Sequence, residues 1–254
     1  MKEYSKILAD TAVLAGQIML ECNAESYRVE DTMNFILKSS KFKTCEAYAM
    51  ATGVFVTVDD PRIDNVTVIK RVKNREINLN KIAQVNSISR NIVNEEIDIY
   101  TAYEMLKNLK SNNYHPLLKS FGLMIMCGAY SALFAGGFKE ITVAFLVASI
   151  IPIANSIDKK LELGSFILNI LSLIPMVIII MIFKKYIFID LNEGISIIGV
   201  IMPAVPGTAI TNAIRDTFRG DYNSGAARIL EAFVIALSVA IGVALGLVIA
   251  KGIL

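Results

Sequence analysis

Long apolar runs without a charged side chain fill the C-terminal half of the chain, at residues 120–138, 141–157, 163–183, 194–214 and 232–250. Each run is close to the roughly 20 residues that an α-helix needs to cross about 30 Å of hydrocarbon. A soluble domain built from so few residues has no interior large enough for five such helices in succession. The pattern therefore predicts five transmembrane helices, at about 117–138, 140–157, 162–183, 194–214 and 229–250.

The N-terminal half has a different and mixed periodicity. Apolar side chains recur at helical spacing in four segments, at residues 4–22, 29–37, 79–92 and 98–109. Three other segments are rich in Val, Phe, Thr and Tyr and favour the strands of a small antiparallel sheet, at residues 44–50, 53–59 and 65–72. We therefore expect an α-helical membrane protein in which a small α+β cytoplasmic domain, residues 1–116, precedes a membrane domain, residues 117–254.

The charged side chains are distributed as this division requires. Residues 1–116 hold 30 of the 48 charged residues, and the others gather in short clusters between the apolar runs. The formal net charge is only +2, with basic and acidic residues mixed, so no nucleic-acid partner is expected. No charged segment followed by a short apolar stretch opens the chain, so a cleaved signal peptide is not expected either.

Residue types suited to catalysis or to metal binding are sparse. Cys22, Cys45 and Cys127 lie far apart without CxxC spacing, and His115 is the single histidine. The N-terminal half contains no GxSxG nucleophile motif and no phosphate-binding loop. We therefore expect no metal, no cofactor and no enzymatic activity.

Lys and Arg residues near the ends of the spans indicate the orientation, because an excess of positive charge stays in the cytoplasm. With the N-terminus inside, the cytoplasmic flanks carry eight such residues, namely Lys107, Lys110, Lys119, Lys159, Lys160, Arg215, Arg219 and Arg228. The outer flanks then carry four, namely Lys139, Lys184, Lys185 and Lys251. Together with the odd number of spans, this predicts a multi-pass protein with a cytoplasmic N-terminus and an external C-terminus.

The fourth apolar run contains two prolines and a glycine in its middle. Proline removes an amide donor and obstructs the carbonyl four residues back, so the helix should be kinked or broken near residues 203–207. The break is either a packing kink or part of a solute path, since transporters use broken helices to present backbone dipoles to a solute. Polar residues that are costly in lipid follow the break and favour the path. The predicted substrate path is lined by Pro203, Pro206, Gly207, Thr208, Thr211, Asn212, Arg215 and Asp216.

Two charged residues of this path suggest how it binds a solute. Arg215 offers a fixed positive charge and several donors to a substrate carboxylate. Asp216 either holds that guanidinium in place or meets an amino group or a coupling proton. In a competing interpretation, both residues are interface anchors that set the depth of the helix.

A polar segment at residues 23–31 begins the second predicted helix, for which Ser26 is the expected N-cap. Its charged side chains form a gate or subunit contact, or they are ordinary acids of a first helical turn with a local ion pair of Arg28. Glu231, near the start of the last span, is either a further contact or a residue at the membrane interface. The candidates for a gate or subunit contact are Glu25, Tyr27, Arg28, Glu30, Asp221, Arg228 and Glu231.

Several short motifs are distributed over nearly the whole chain. They are Ala24-Glu25-Ser26-Tyr27-Arg28-Val29-Glu30, Thr52-Gly53 before a strand, Arg71 to Leu79, Pro203 to Gly207, Thr211 to Asp216, Gly220-Asp221, Gly225, and Arg228 to Ala232. In combination, these motifs resemble the threonine/serine exporter family, and in particular its N-terminal type of subunit. One departure is Cys22-Asn23, where a glycine-containing turn is expected.

The resemblance implies a secondary transporter of the plasma (inner) membrane that exports small polar metabolites, either threonine and serine or a succinate-like dicarboxylate. In split members of the family, a second and smaller hydrophobic subunit completes the transporter, and this chain resembles the split form. The implied partners are a small polar solute, the lipid bilayer, that second subunit and further copies of the chain in a homo-oligomer. The alternatives are a membrane-anchored enzyme, and a membrane-anchored sensor or assembly factor with no transport activity of its own.

Overall fold

The computed structural model describes residues 1–110, 114–161 and 163–254, which form two compact units. The first unit contains residues 1–110 together with residues 211–228, and the second contains the remaining described residues. Glu162, where the third predicted span begins, lies outside the described residues, as do residues 111–113 of the predicted N-terminal domain. The predicted boundary after residue 116 divides a cytoplasmic domain from a membrane domain, and this division stays a prediction.

The N-terminal part of the first unit alternates helices with strands in the predicted order. Its described elements are α1 (Lys2–Glu21), α2 (Ser26–Lys38), β1 (Thr44–Met50), β2 (Gly53–Asp59), β3 (Val66–Arg71), α3 (Leu79–Val93) and α4 (Ile99–Lys107). The three strands pair antiparallel in the order β1-β2-β3. The helices and the small sheet predicted for this half of the chain are therefore confirmed.

Helix α1 lies at the centre of this unit, because it has apolar side chains on most of its faces. Leu8 and Met19 are fully buried, and the helix packs against α2, β2, β3, α3 and α4. The central strand β2 turns Val54, Val56 and Val58 toward the same core, as the two-residue repeat of a strand requires.

The turn after β2 is built around Asp60, whose carboxylate is buried. It accepts a hydrogen bond from the backbone N–H of Lys43 at 3.0 Å and forms an ion pair with Arg62 at 2.6 Å. Hydrogen bonding by the Arg62 guanidinium holds the pKa of Asp60 well below its ordinary range. Asp60 therefore stays ionised near neutral pH and stabilises the turn.

The second unit consists of helices in the described part of the chain. Its elements are α5 (Pro116–Leu133), α6 (Phe138–Val147), α7 (Ile150–Leu161), α8 (Gly164–Tyr186), α9 (Glu193–Ile201), a 3-10 turn (Met202–Ala204), the beginning of α10 (Gly207–Phe218) and most of α11 (Tyr222–Ile253). Four helical segments within the described ranges are long and apolar enough to cross a membrane, and a bent fifth span is formed if α9 and α10 are counted together. These helices support a multi-pass membrane protein.

The fourth predicted span is broken at the prolines, as the sequence predicts. The helical axis bends by 53° at the break between Ala204 and Gly207. Pro203 lies in the 3-10 turn, the backbone of Val205 is extended, and Pro206 is buried. The polar residues that follow the break consequently belong to a separate helix, α10.

Small residues allow close packing between helices of the second unit. A Cβ atom at Gly199 of α9 would lie 2.9 Å from the carbonyl oxygen of Cys127 on α5. A Cβ atom at Gly246 of α11 would lie 2.7 Å from the Cβ of Val177 on α8. Membrane helices use small residues in this way, because van der Waals packing replaces the hydrophobic effect between them.

Candidate functional site

The turn between α1 and α2 depends on Asn23, whose φ of 64° is in the left-handed region. The amide of Ala24 donates to the carbonyl of Met19 at 3.0 Å, and the amide of Asn23 donates to the carbonyl of Leu20 at 3.0 Å. These two bonds are the Schellman motif that ends many helices. Asparagine adopts this conformation more readily than most other residues. Asn23 therefore supplies the turn for which a glycine was expected.

A second Schellman motif ends α10. Gly220 has a φ of 88°, and its amide donates to the carbonyl of Thr217 at 3.0 Å. The amide of Asp221 donates to the carbonyl of Asp216, also at 3.0 Å. The carboxylate of Asp221 then accepts the amide of Ser224 at 3.2 Å and caps the first turn of α11. The chain reverses direction here within a few residues.

Glycine at position 225 lets the start of α11 lie close to α10. A Cβ atom there would lie 3.2 Å from the carbonyl oxygen of Ala213 and closer still to the side chain of Thr217. Arg228 follows three residues later on the same side of α11. Its guanidinium Nε lies 3.0 Å from Oδ2 of Asp216, and both side chains are about 1% exposed.

The buried guanidinium of Arg228 joins the two turns. Its Nη1 donates to Oδ1 of Asn23 at 3.1 Å, and its Nη2 donates to the carbonyl of Ala24 at 3.0 Å. The hydroxyl of Ser26 donates to Oδ2 of Asp216 at 3.2 Å. We call these five residues the Arg228 cluster. A buried charge is tolerated when it is paired and hydrogen-bonded, and the cluster meets both conditions for Arg228.

Asp216 has a second carboxylate oxygen that remains available. Oδ1 is buried, and no donor among the described residues forms a hydrogen bond with it. A buried acceptor without a donor is costly, so this oxygen would be stabilised by a proton or by an ammonium group that reaches it.

Three contacts surround the Arg228 cluster. Arg215 forms an ion pair with Glu25, and Glu25 also lies 3.5 Å from Arg28 one turn along α2. The guanidinium of Arg219 lies 3.5 Å from the ring centroid of Tyr27, which is cation–π geometry. The carboxylate of Glu25 is therefore shared between an arginine of α2 and an arginine of α10.

Asn212 and Glu30 make further contacts in the same unit. Asn212 is buried, and its side-chain amide donates to the carbonyl of Asn23 at 3.3 Å. Glu30 accepts the amide of Ala49 on β1 at 2.9 Å. Burial raises the pKa of Glu30, and neighbouring carboxylates, Asp221 foremost, raise it further, although the hydrogen bond from Ala49 opposes them.

The structure brings together residues that the sequence placed in two separate candidate groups. Those in direct contact around the cluster are Glu25, Tyr27, Arg28, Asn212, Arg215, Asp216 and Arg228. The same unit also holds Glu30, Thr211 and Asp221. The remaining predicted residues belong to the second unit, namely Pro203, Pro206, Gly207, Thr208 and Glu231. The assignment of all these residues, in either unit, to a substrate path or to a gate stays a prediction.

Two expectations about particular contacts were wrong. Glu25, and not Ser26, occupies the N-cap position of α2, because the helix begins at Ser26 and the hydroxyl of Ser26 bonds to Asp216 instead. Asp216 does not hold the guanidinium of Arg215, since it pairs with Arg228 while Arg215 pairs with Glu25.

Three contributors to the site were missed in the sequence: Asn23, the hydroxyl of Ser26 and the ring contact of Arg219. The expected glycine-like turn was a signal for Asn23, because asparagine is the usual substitute in a left-handed turn. No local pattern indicates that Ser26 reaches Asp216, which is 190 residues away in the sequence.

Comparison with known proteins identifies a family for the chain. The ThrE family, described as "Putative threonine/serine exporter", matches residues 10–250. No curated protein and no solved structure matches the chain significantly. The matched range includes both Schellman turns, the Arg228 cluster and the broken span. Since the match covers nearly the whole chain and several helices are suited to crossing a membrane, this multi-pass membrane protein belongs to the threonine/serine exporter family.

Proposed function

We propose that the chain is a subunit of a secondary transporter that exports threonine or serine from the cytoplasm across the plasma membrane. One observation carries the proposal. Helix α10, which follows the break in the fourth span, ends among Arg215, Asp216 and Arg228, and these residues contact the turn between α1 and α2. Charged groups next to a broken membrane helix are suited to binding a small charged solute.

In this proposal, Arg215 exchanges one carboxylate for another. Glu25 occupies its guanidinium in the present structure, while about half of the Arg215 side chain remains exposed. Arginine binds carboxylates through charge-assisted and often paired hydrogen bonds, whether the carboxylate belongs to the protein or to a solute. The carboxylate of an amino acid would therefore compete with Glu25 for Arg215.

The proposal gives Asp216 the complementary role. Its Oδ2 pairs with Arg228, and its buried Oδ1 lacks a donor among the described residues. The ammonium group of an amino acid, or a coupling proton, would satisfy this oxygen. Arg215 contacts Glu25 and Asp216 contacts Ser26, the next residue of the chain, so a cation and an anion lie near the same turn for a zwitterionic solute.

The strengths of the contacts favour a gate in which only the outer layer opens. By outer layer we mean the contact of Arg215 with Glu25 and that of Arg219 with Tyr27, which surround the Arg228 cluster. An exposed ion pair contributes about 0.2–1 kcal/mol, and an exposed cation–π contact about 0.5–1 kcal/mol. The contact of Arg219 is of the second kind, whereas the pair of Arg215 is partly buried, with about half of the Arg215 side chain exposed and Glu25 mostly buried. Both contacts are less buried than the pair of Arg228 and can break reversibly. Breaking the fully buried pair of Arg228 would cost about 3–5 kcal/mol, so the inner cluster should persist while the outer layer opens.

Reconstitution tests the transport function directly. Proteoliposomes that contain the chain and a smaller five-helix subunit of the same family should release labelled threonine or serine, whereas the chain alone should not. The reason is that five spans cannot by themselves form the pair of inverted repeats on which many secondary transporters rely. Labelled succinate is the control for a dicarboxylate exporter. Efflux by the chain alone would contradict the subunit role, and no flux of any of the three solutes would favour the sensor or assembly factor.

Cysteine labelling tests the proposed orientation. In a background in which all three native cysteines are replaced, Gly252→Cys should react with an impermeant maleimide in intact cells. Lys110→Cys should react only after the cells are permeabilised, because the excess of Lys and Arg predicts a cytoplasmic N-terminal domain. The reverse pattern of labelling would show that the orientation is inverted.

A further inference from the structure

Helices α2 and α3 of the first unit border an open cavity of about 390 Å³. One face of each helix lines it, with Arg28, Asp31 and Phe35 at helical spacing on α2 and Asn86 and Arg90 on α3. A cavity of this size falls within the range of about 300–1,000 Å³ that is typical of small-molecule sites.

Two cations and one anion line this cavity. Asp31 and Arg90 form no ion pair with any residue in the described part of the chain, and Arg28 has the 3.5 Å contact with Glu25. About half of the Arg28 side chain is exposed. Asp31 and Arg90 therefore remain available to a ligand that carries both signs of charge, and Arg28 becomes available to it when the ligand displaces Glu25.

The rest of the cavity lining adds hydroxyls, the side-chain amides of Asn86 and Asn94, and apolar side chains. The hydroxyls of Thr32 and Ser89 are buried and donate to backbone carbonyls of their own helices, at 2.9 Å and 3.0 Å. Phe35 adds an exposed aromatic surface. The cavity thus combines charged side chains with an apolar wall, and its two hydroxyls already donate to backbone carbonyls. This lining suits a small solute with a charged head and a short side chain.

We propose that this cavity is a second solute site, which binds a free α-amino acid. The carboxylate of the ligand binds Arg28 and Arg90, and its ammonium group binds Asp31. A dicarboxylate would place a like charge against Asp31, so the zwitterion is favoured. The choice of threonine as the probe rests on the proposed export function, whereas binding in the cavity does not require transport.

Arg28 links the cavity to the contacts around the Arg228 cluster. Its partner Glu25 also pairs with Arg215. A ligand carboxylate on Arg28 competes with Glu25 and leaves Glu25 to pair with Arg215 alone. Occupancy of the cavity therefore strengthens the pair of Glu25 with Arg215. The concentration of free solute around the first unit regulates the contact of Arg215 in this way.

Isothermal titration calorimetry of the full chain in lipid nanodiscs tests this site, with L-threonine and succinate as ligands. The background is Arg215→Gln, which removes the carboxylate-binding group that we propose for the transport path. Threonine should still bind to this background. Adding Arg90→Gln should weaken binding about tenfold or more, since a hydrogen bond to a charged group is worth at least that factor. Adding Asp31→Asn should weaken the binding of threonine but not that of succinate.

Two exposed charges outside the cavity provide matched controls. Arg71→Gln on β3 and Asp59→Asn on β2 should each leave the affinity for threonine within about twofold of the background. In the same Arg215→Gln background, adding Glu25→Gln should tighten binding about two- to fivefold, because it removes the competitor for Arg28 while the transport path lacks its carboxylate-binding group.

Three results would overturn the proposal. They are the absence of threonine binding to the Arg215→Gln chain, an affinity that Arg90→Gln leaves unchanged, and tighter binding of succinate than of threonine. An unchanged affinity when Glu25→Gln is added to the Arg215→Gln background would overturn the competition of Glu25 for Arg28, and with it the link to Arg215. The efflux assay measures the proposed transport function without reference to the cavity, so the failure of one proposal can be distinguished from the failure of the other.

Discussion

Replacing Arg228 with methionine should destabilise the first unit by about 3–5 kcal/mol, because the substitution leaves the buried carboxylate of Asp216 without its partner. Asn23 and the carbonyl of Ala24 lose their donors at the same time. Cys22 is 5% exposed and adjoins this turn, so its reaction with a maleimide reports local opening. In chains that retain Cys22 as the only cysteine, labelling should accelerate by about 150-fold or more.

Two further variants separate the buried pair from other effects. Arg219→Met, on the same segment, removes only an exposed cation–π contact and should cost less than about 1 kcal/mol. The double variant Arg228→Met/Asp216→Leu should recover much of the lost stability, because apolar side chains of similar size can replace a buried ion pair. Equal labelling rates in Arg228→Met and Arg219→Met would show that the cluster does not hold the turn.

Neutralising the two partners of the outer ion pair should have opposite effects on transport. Arg215→Gln should lower efflux about tenfold or more, because it removes the charged donor for the carboxylate of the solute. Glu25→Gln should instead lower the half-saturating concentration of the solute by about two- to fivefold, since it removes the competing carboxylate. Efflux of labelled threonine from proteoliposomes, measured over a range of internal concentrations, gives both quantities.

The abundance of each variant in the membrane decides how these results are interpreted. Arg215 is about half exposed, so Arg215→Gln should insert and accumulate normally. Arg71→Gln is the matched control. Arg219 is nearer in the sequence but unsuitable as a control, because its guanidinium contacts Tyr27 beside the site. A loss of efflux in proportion to abundance would identify Arg215 as an interface anchor. Equal losses of efflux in Arg215→Gln and Glu25→Gln would show that this ion pair is structural and that no exchange of carboxylates occurs.

Features with a local physical cause could be predicted from the sequence. An abundance of Val, Phe and Thr predicts β2, because β-branched and aromatic side chains fit a pleated, half-buried surface. Proline chemistry predicts the break at residues 203–207, since the missing donor and the ring act on the nearest helical turn. A local ion pair of Arg28 was one of two interpretations of residues 23–31, and the structure forms it with Glu25, because helical residues three apart are neighbours.

The partners within the site could not be predicted in the same way. The sequence indicated polar groups at residues 23–31 and on α10 as separate candidates, and it gave Ser26 and Asp216 the wrong partners. Both errors arose because contacts within one helix were the nearest available alternatives. In the structure, the hydroxyl of Ser26 and the guanidinium of Arg228 both reach Asp216.

The sequence by itself determined the apolar spans, the small sheet, the break in the fourth span and the residue types at the site, because each depends on periodicity or on backbone chemistry over a few residues. Only the tertiary structure decided that Arg228 pairs with Asp216 and that Arg215 pairs with Glu25. Those pairs require the two Schellman turns and the close approach at Gly225, which bring together residues up to 205 positions apart. Contacts over such a separation depend on how the helices pack, and no local pattern in the sequence specifies them.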